Sequence, residues 1–307
     1  MAVVLAVAAV SGCSSDDVPT DAATSSTSTD ATSTTTAVTS SSAELPAELV
    51  VERFAVPAGA RPHDVAPAAD GTVWYTAQAT GRLGRLDPAN GDVTEEVTSY
   101  PLPASHPSAN LNTAVFTGDG TLWFTGQAGL YGRLVRGADA VDVFDAPGGA
   151  GPYGITSTPE GDVYYASLAG NHLARIDTTT GEATVLEPPT PEQGTRRVWT
   201  DSTGRIWSSQ WHAGQVAVYD PMTSAWQEWS LPGDSPQAYA VFVDEHDRVW
   251  LADWGANALV VFEPRSETFR SVALPDDGAD VRQILGRAGE VWAPESGADA
   301  LVVVRTS

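Results

Sequence analysis

The sequence predicts an all-β chain: a six-bladed β-propeller of four-stranded blades, its ring closed by the N-terminal strand completing the last blade. Three observations carry that expectation. An aromatic-bearing strand recurs at nearly constant spacing, a turn and further strands accompany each copy, and the two ends of the chain hold complementary parts of one unit. No segment shows sustained helical periodicity.

The recurring strands read Thr72-Val73-Trp74-Tyr75-Thr76, Thr121-Leu122-Trp123-Phe124-Thr125, Asp162-Val163-Tyr164-Tyr165-Ala166, Arg205-Ile206-Trp207-Ser208-Ser209, Arg248-Val249-Trp250-Leu251-Ala252 and Glu290-Val291-Trp292-Ala293-Pro294. Their aromatics at 74, 123, 164, 207, 250 and 292 lie 49, 41, 43, 43 and 42 residues apart. An apolar first strand and an acid-glycine or equivalent turn precede each of them. A third strand follows, as at 82–87 and 259–263, and a fourth often ends in Leu-Pro, as at Leu102-Pro103, Leu231-Pro232 and Leu274-Pro275. Four short strands in about 40–45 residues is the pattern of a propeller blade. The sixth unit stops at its third strand, Leu301 to Arg305, while residues 49–57 form a lone fourth strand ahead of the first unit. Pairing these two ends would close the ring and leave no open edge.

Composition narrows the function classes. The 307 residues carry 39 acids against 16 bases, all of them arginine, for a net charge of −23. Phosphate binding needs a basic face, so a nucleic-acid partner is excluded, and so is a polybasic membrane patch. A single cysteine excludes a disulfide scaffold and any zinc site built from several cysteines. No apolar run reaches the roughly 20 residues of a membrane-spanning helix.

That cysteine, Cys13, follows an apolar stretch over residues 1–12. The four residues Val10-Ser11-Gly12-Cys13 resemble the lipobox of a bacterial lipoprotein signal, although no basic residue precedes the stretch. The resemblance implies cleavage before Cys13 and acylation of its thiol. Residues 14–43 hold 18 Ser or Thr, four Asp and no aromatic, too little apolar surface to offset the entropy of ordering. The expected organisation is a signal peptide at 1–12, a disordered tether at 13–43 and a propeller at 44–307. The expected setting is extracytoplasmic, lipid-anchored and monomeric, with the membrane met only through the lipid.

Strands alternate in direction within a blade, so first-strand starts and second-strand ends share a face. The starts are His63, Asn112, Tyr153, Arg196, Tyr239 and Arg282; the ends are Ala77, Gly126, Ser167, Gln210, Asp253 and Glu295. Loops between second and third strands add His172, Trp211, His212, Trp254 and Asn257. This polar and aromatic ring suits a small-molecule ligand at the channel mouth. His63 is the only histidine at a strand start, next to the blade that carries Glu295. It reads as a base or a metal ligand. Asp253, Glu295 and Asp280 offer the oxygen ligands that magnesium or calcium prefers. The same carboxylates could instead pair with Arg196, Arg197 or Arg282, and those arginines could hold an anionic ligand.

The phrases Pro62-His63-x-Val65, Asp70-Gly71-x-Val73-Trp74-Tyr75-Thr76 and Gly81-Arg82-Leu83 resemble the virginiamycin B lyase (streptogramin lyase) family over most of residues 49–307. The resemblance implies ring opening of a cyclic depsipeptide by elimination at its ester, assisted by magnesium. It implies acids at Asp280 and Glu295 for the metal. It sets Arg282 at the family's catalytic histidine and Tyr239 at its substrate-binding histidine, and the family has seven blades where six are counted here. An arginine stays protonated at any working pH and cannot serve as a base. On the lyase-like reading His63 supplies the base, Arg282 holds developing negative charge, and Asp280, Glu295 and Asp253 place the cation. Asn112, Tyr153, Arg196, Tyr239, Gln210, His212 and Trp254 then bind substrate. A non-catalytic propeller that binds a ligand or protein, and a gluconolactonase-like lactone hydrolase, stand beside it as alternatives.

Overall fold

The computed structural model describes residues 45–46, 49–68, 70–77, 82–96, 102–103, 110–149 and 151–306. The chain divides into two units, Met1–Ser40 and Ser41–Ser307, and every described residue lies in the second. The expected signal peptide, Cys13 and the tether therefore fall outside the described residues. No helix among the described residues is long and apolar enough to cross a membrane.

Six four-stranded antiparallel sheets follow one another in sequence. After β1 (Val50–Ala55), blade one comprises β2 (Pro62–Pro67), β3 (Val73–Ala77), β4 (Arg82–Asp87) and β5 (Asp92–Glu96). Blade two comprises β6 (Leu111–Phe116), β7 (Leu122–Gly126), β8 (Leu130–Leu134) and β9 (Asp142–Asp145). Blade three runs through β10 (Pro152–Ser157), β11 (Val163–Ser167), β12 (His172–Ile176) and β13 (Ala183–Leu186). Blade four has β14 (Thr195–Thr200), β15 (Ile206–Gln210), β16 (Gln215–Asp220) and β17 (Ala225–Ser230). Blade five has β18 (Ala238–Val243), β19 (Val249–Asp253), β20 (Ala258–Glu263) and β21 (Thr268–Ala273). Blade six holds β22 (Leu285–Arg287), β23 (Glu290–Glu295) and β24 (Ala300–Arg305), and β1 is its fourth strand, paired from Val50↔Arg305 to Ala55↔Ala300. The six-bladed ring closed by its N-terminal strand is thus observed.

The second-strand aromatics are its core except in blade one, where Trp74 is half-buried and Tyr75 is the buried ring. Trp123, Tyr164, Trp207, Trp250 and Trp292 are each at most 1% exposed, and Trp207 shares one apolar cluster with Val241 and Val249 of the next blade. Burying one such ring is worth roughly 4–6 kcal/mol of transfer free energy before entropy is counted. The turn between first and second strands needs a left-handed residue. Gly71, Gly120, Gly161, Gly204 and Gly289 hold it at φ between 77 and 95, and Asp247 does so in blade five.

One recurring contact joins blade to blade. Asn171, Asn257 and Asp299 occupy the same left-handed position before the third strand. The amides of Gly194 and Ala279 donate to the side chains of Asn171 and Asn257 at 3.0 Å, and those of Gly59 and Arg61 donate to Asp299 at 2.8 Å. Blade six therefore meets blade one through the contact that joins three to four and five to six.

Each first strand of blades one to five slips register near its start, between Pro62/Val65, Leu111/Ala114, Pro152/Ile155, Thr195/Val198 and Ala238/Val241. Blade six repeats the slip in looser form, with the bridge Val281↔Glu295 ahead of β22. Such a bulge sets two residues against one and re-aims them. Each blade thus presents a pair at the channel: His63-Asp64, Asn112-Thr113, Tyr153-Gly154, Arg196-Arg197, Tyr239-Ala240 and Arg282-Gln283. Gly154 is required by close approach, since a Cβ there would lie 2.7 Å from the Arg197 Cα.

Candidate functional site

Arg197, the second bulge residue of blade four, reaches across the channel. Its guanidinium donates to Asp64 of blade one at 2.9 and 3.4 Å, to the Arg282 carbonyl of blade six at 2.8 Å and to the Thr113 hydroxyl of blade two. His63 Nδ1 lies 2.6 Å from Asp64 Oδ1. Burial alone would raise the Asp64 pKa; the Arg197 and His63 contacts outweigh it and hold the carboxyl below its ordinary range. Above the bulges the Tyr153 and Tyr239 hydroxyls meet at 2.5 Å, and burial pushes the Tyr153 phenol up. Small hydroxyls at second-strand ends fasten the bulges: Ser209 accepts from the Arg197 amide at 3.1 Å and donates to the Tyr239 carbonyl at 2.5 Å. Thr76 accepts from the Asp64 amide at 3.0 Å.

The mouth between blades four and six is a ladder of rings and guanidiniums. Arg196 lies 4.3 Å from the Trp211 ring centre and 4.7 Å from that of Tyr239; Tyr239 stacks on Trp254 at 4.7 Å; Arg282 lies 5.3 Å from Trp254. The sequence-predicted residues Arg196, Tyr239, Trp254 and Arg282 are thus gathered here, with Tyr153 beside them. Others are engaged elsewhere. Asn112 donates to the Asn110 carbonyl at 2.9 Å, buried Gln210 donates to Glu228 at 3.0 Å, and exposed His212 lies 3.2 Å from the Glu192 carbonyl. His172 is lowered in pKa by burial.

The expected carboxylate cluster has different partners. Asp253 accepts from the Gln237 and Gly255 amides at 2.8 and 2.9 Å, which ties down two loops. Asp253 and Asp280 line one cavity of 210 Å³ with Trp254 and Asn257. Glu295 is fully buried, with neither carboxyl oxygen meeting a conventional donor. Burial, and then the neighbouring Asp276 carboxylate, push its pKa up to about 8. Asp276 in turn pairs with Arg53 of β1. A protonated Glu295 facing Asp276 satisfies this geometry. Asp253, Asp280 and Glu295 do not form a group with ligand atoms within 4.8 Å of one another.

Among the described residues the group that meets that distance is Asp244, Glu245 and His246, in the turn on the opposite face. The group is close enough to share a divalent cation. Asp244 already accepts from Arg248 Nε at 2.6 Å, Trp250 Nε1 at 2.8 Å and two turn amides. A cation there would have to displace a guanidinium, so the donor set fits a metal poorly.

Sequence reasoning missed Asp64, Arg197 as a channel-spanning group, and Asp276. The adjacency of His63-Asp64 and Arg196-Arg197 was visible, but only the bulge turns the second member of each pair inward.

No curated protein matches the sequence. The profile of the virginiamycin B lyase family matches residues 24–225, a segment that ends before Tyr239, Asp253, Asp280, Arg282 and Glu295. Virginiamycin B lyase from Staphylococcus aureus is similar over 84% of this chain and 99% of its own, at 18% identity and a TM-score of 0.62. The catalytically inactive variant of that enzyme with quinupristin is similar over 83% of this chain and 84% of its own, at 20% identity and 0.62. YCF48 bound to D1 peptide is similar over 84% and 97%, at 15% identity and 0.65. At these identities the solved structures speak for the fold alone.

Proposed function

Because the chain belongs to the virginiamycin B lyase family, we propose that its channel-mouth face takes a small organic ligand, and that it acts there as a binding module rather than through metal-assisted elimination. The observation that carries this reading is the Arg197–Asp64 pair beneath the mouth, which commits the half-buried carboxylate beside His63 to a buried guanidinium. The two positions at which the resemblance implies histidines support it. Arg282 lies over Trp254, and Tyr239 shares a hydrogen bond with Tyr153. Neither side chain is an imidazole, so neither supplies the ring nitrogen that the resemblance implies there.

A lyase-like reading keeps one specific observation in its favour. Asp64 orients the His63 imidazole through Nδ1, the arrangement of a base and its orienter, which leaves Nε2 to take a proton from a substrate carbon. Magnesium, if bound at the mouth, would supply Lewis-acid polarisation of an ester carbonyl, with Asp280 and Glu295 the residues nearest to the implied role. Glu295 fits that role only after losing its proton.

The readings separate in one assay. The purified protein is incubated with a cyclic depsipeptide of the streptogramin B type and magnesium, and ring opening is followed by mass spectrometry. Binding to the face with no ring opening is expected. Turnover that His63→Ala abolishes would overturn the binding-module reading. The envelope setting is part of the same proposal: Cys13→Ala should release the protein from the membrane fraction, and retention there would refute the lipid anchor.

A further inference from the structure

The mouth face carries a cavity of 650 Å³ between blades four and five, lined by Trp211 and His212 on one side and Asp234, Ser235 and Gln237 on the other. The reading above uses none of these last three residues. The volume falls within the roughly 300–1,000 Å³ of small-ligand sites. Its walls are held firmly. The Trp211 amide donates to the Gly194 carbonyl at 3.0 Å, and its ring meets those of Tyr239 and Trp254 edge-on at 5.4 and 5.3 Å. Across the cavity, the loop at 234–237 packs against backbone: a Cβ on Gly255 would come within 2.1 Å of the Ser235 carbonyl. The Gln237 amide is fixed by Asp253 at 2.8 Å, so the carboxylate expected to hold a metal serves to hold this wall instead.

The lining restricts the chemistry of an occupant. Asp234 and a net charge of −23 oppose an anion. Asp234 and the net charge would accept a cation, but the Arg196 guanidinium, which does not line the cavity, already lies over the Trp211 ring and opposes a second positive charge on that wall. What remains is one flat apolar wall ringed by a carboxylate, a hydroxyl, an amide and an imidazole. Such a set suits a neutral molecule with a C–H face and a rim of hydroxyls, able to donate and accept at once. We propose that this cavity binds a neutral saccharide, with one pyranose ring stacked on Trp211 and its hydroxyls bonded by Asp234 and Gln237. The proposal rests on the mouth-face binding reading and names its ligand class.

The test is titration of the purified protein with maltose, cellobiose and N,N′-diacetylchitobiose, followed by tryptophan fluorescence and calorimetry. Benzoate and benzyltrimethylammonium serve as charged probes. Saturable binding of at least one disaccharide is expected. Trp211→Ala should weaken it about tenfold or more, the size of one lost aromatic contact, and Gln237→Ala several-fold. Trp211→Phe keeps a flat wall and should retain most binding, which guards against a variant that merely misfolds. Disaccharide binding indifferent to Trp211→Ala would overturn the site. Binding of a charged probe but of no disaccharide would overturn the saccharide and leave the mouth-face reading standing. No response to any probe would overturn both.

Discussion

The two ends of the propeller use their acids in opposite ways. At the turn end, one acid contact is local and repeats. Asp201 accepts from Arg205 at 2.8 Å and from the Trp207 indole at 2.9 Å, and Asp244 does the same for Arg248 and Trp250 at 2.6 and 2.8 Å. Each acid closes its own hairpin and anchors its own blade's core ring. At the mouth end the Asn171, Asn257 and Asp299 contacts repeat from blade to blade, whereas the contacts across the channel occur once each. Asp64 is held by an arginine 133 positions away, and Tyr153 meets Tyr239 across 86. The repeated contacts build the ring; the unrepeated ones are where this chain departs from its own blade repeat.

The contrast can be broken most forcefully at Arg197. Arg197→Met leaves half-buried Asp64 without its cation and should cost about 3 kcal/mol, the lower end for a broken buried pair, read as a lower urea midpoint. Adding Asp64→Leu should recover most of that loss. A double variant no better than the single would mean that Arg197 acts through Thr113 and the Arg282 carbonyl instead.

A second test sets two carboxyls of the mouth, fully buried Glu295 and half-buried Asp64, against each other by pH. Glu295 has a folded pKa raised to about 8 from an ordinary 4.5. Its stabilising proton is therefore fully present below 4.5 and lost as pH rises through about 8. Asp64 is depressed, so its contribution is present above the ordinary carboxylate range and lost as pH falls through the folded value. Melting curves from pH 5 to 9 should show the first loss, and Glu295→Gln should flatten it. The effect is a few kcal/mol at most, at about 1.4 kcal/mol per unit. An unchanged slope in the variant would reject the raised carboxyl.

Smaller effects sharpen the turn end. Trp207→Phe and Trp250→Phe each remove one indole donor from a buried acid, so the two should cost about the same, 1–2 kcal/mol. Clearly unequal values would show that the repeat is geometric but not energetic. Smallest is Glu52→Gln, which loosens the half-exposed bridge from β1 to Arg305 at 2.6 Å. It should cost less than about 1 kcal/mol in the same melts.

The ring was legible in the sequence because everything that specifies it is local or periodic. Ring spacing, acid-glycine turns and complementary chain ends are readable without coordinates, and β1 joins β24 as those ends imply. Much of the mouth was legible too, since strand alternation assigns Tyr153, Arg196, Tyr239, Trp254 and Arg282 to one face. What failed to follow was partnership. Asp253, Asp280 and Glu295 share a face but not a point, because each carboxylate's neighbours come from loops whose paths the repeat does not dictate.

The bulges explain the remainder. A one-residue slip in each first strand turns Asp64, Thr113 and Arg197 toward the channel, and strict period-two alternation assigns them to the other face. From sequence alone, the number of blades, their order and the strand that closes them are determined, because burial of one ring per blade and one left-handed turn per hairpin admit few arrangements. Only the tertiary structure decides that Arg197 neutralises Asp64, that Glu295 faces Asp276 and that Asp253 braces a wall. Those contacts span blades, and their geometry exists only once the ring has closed.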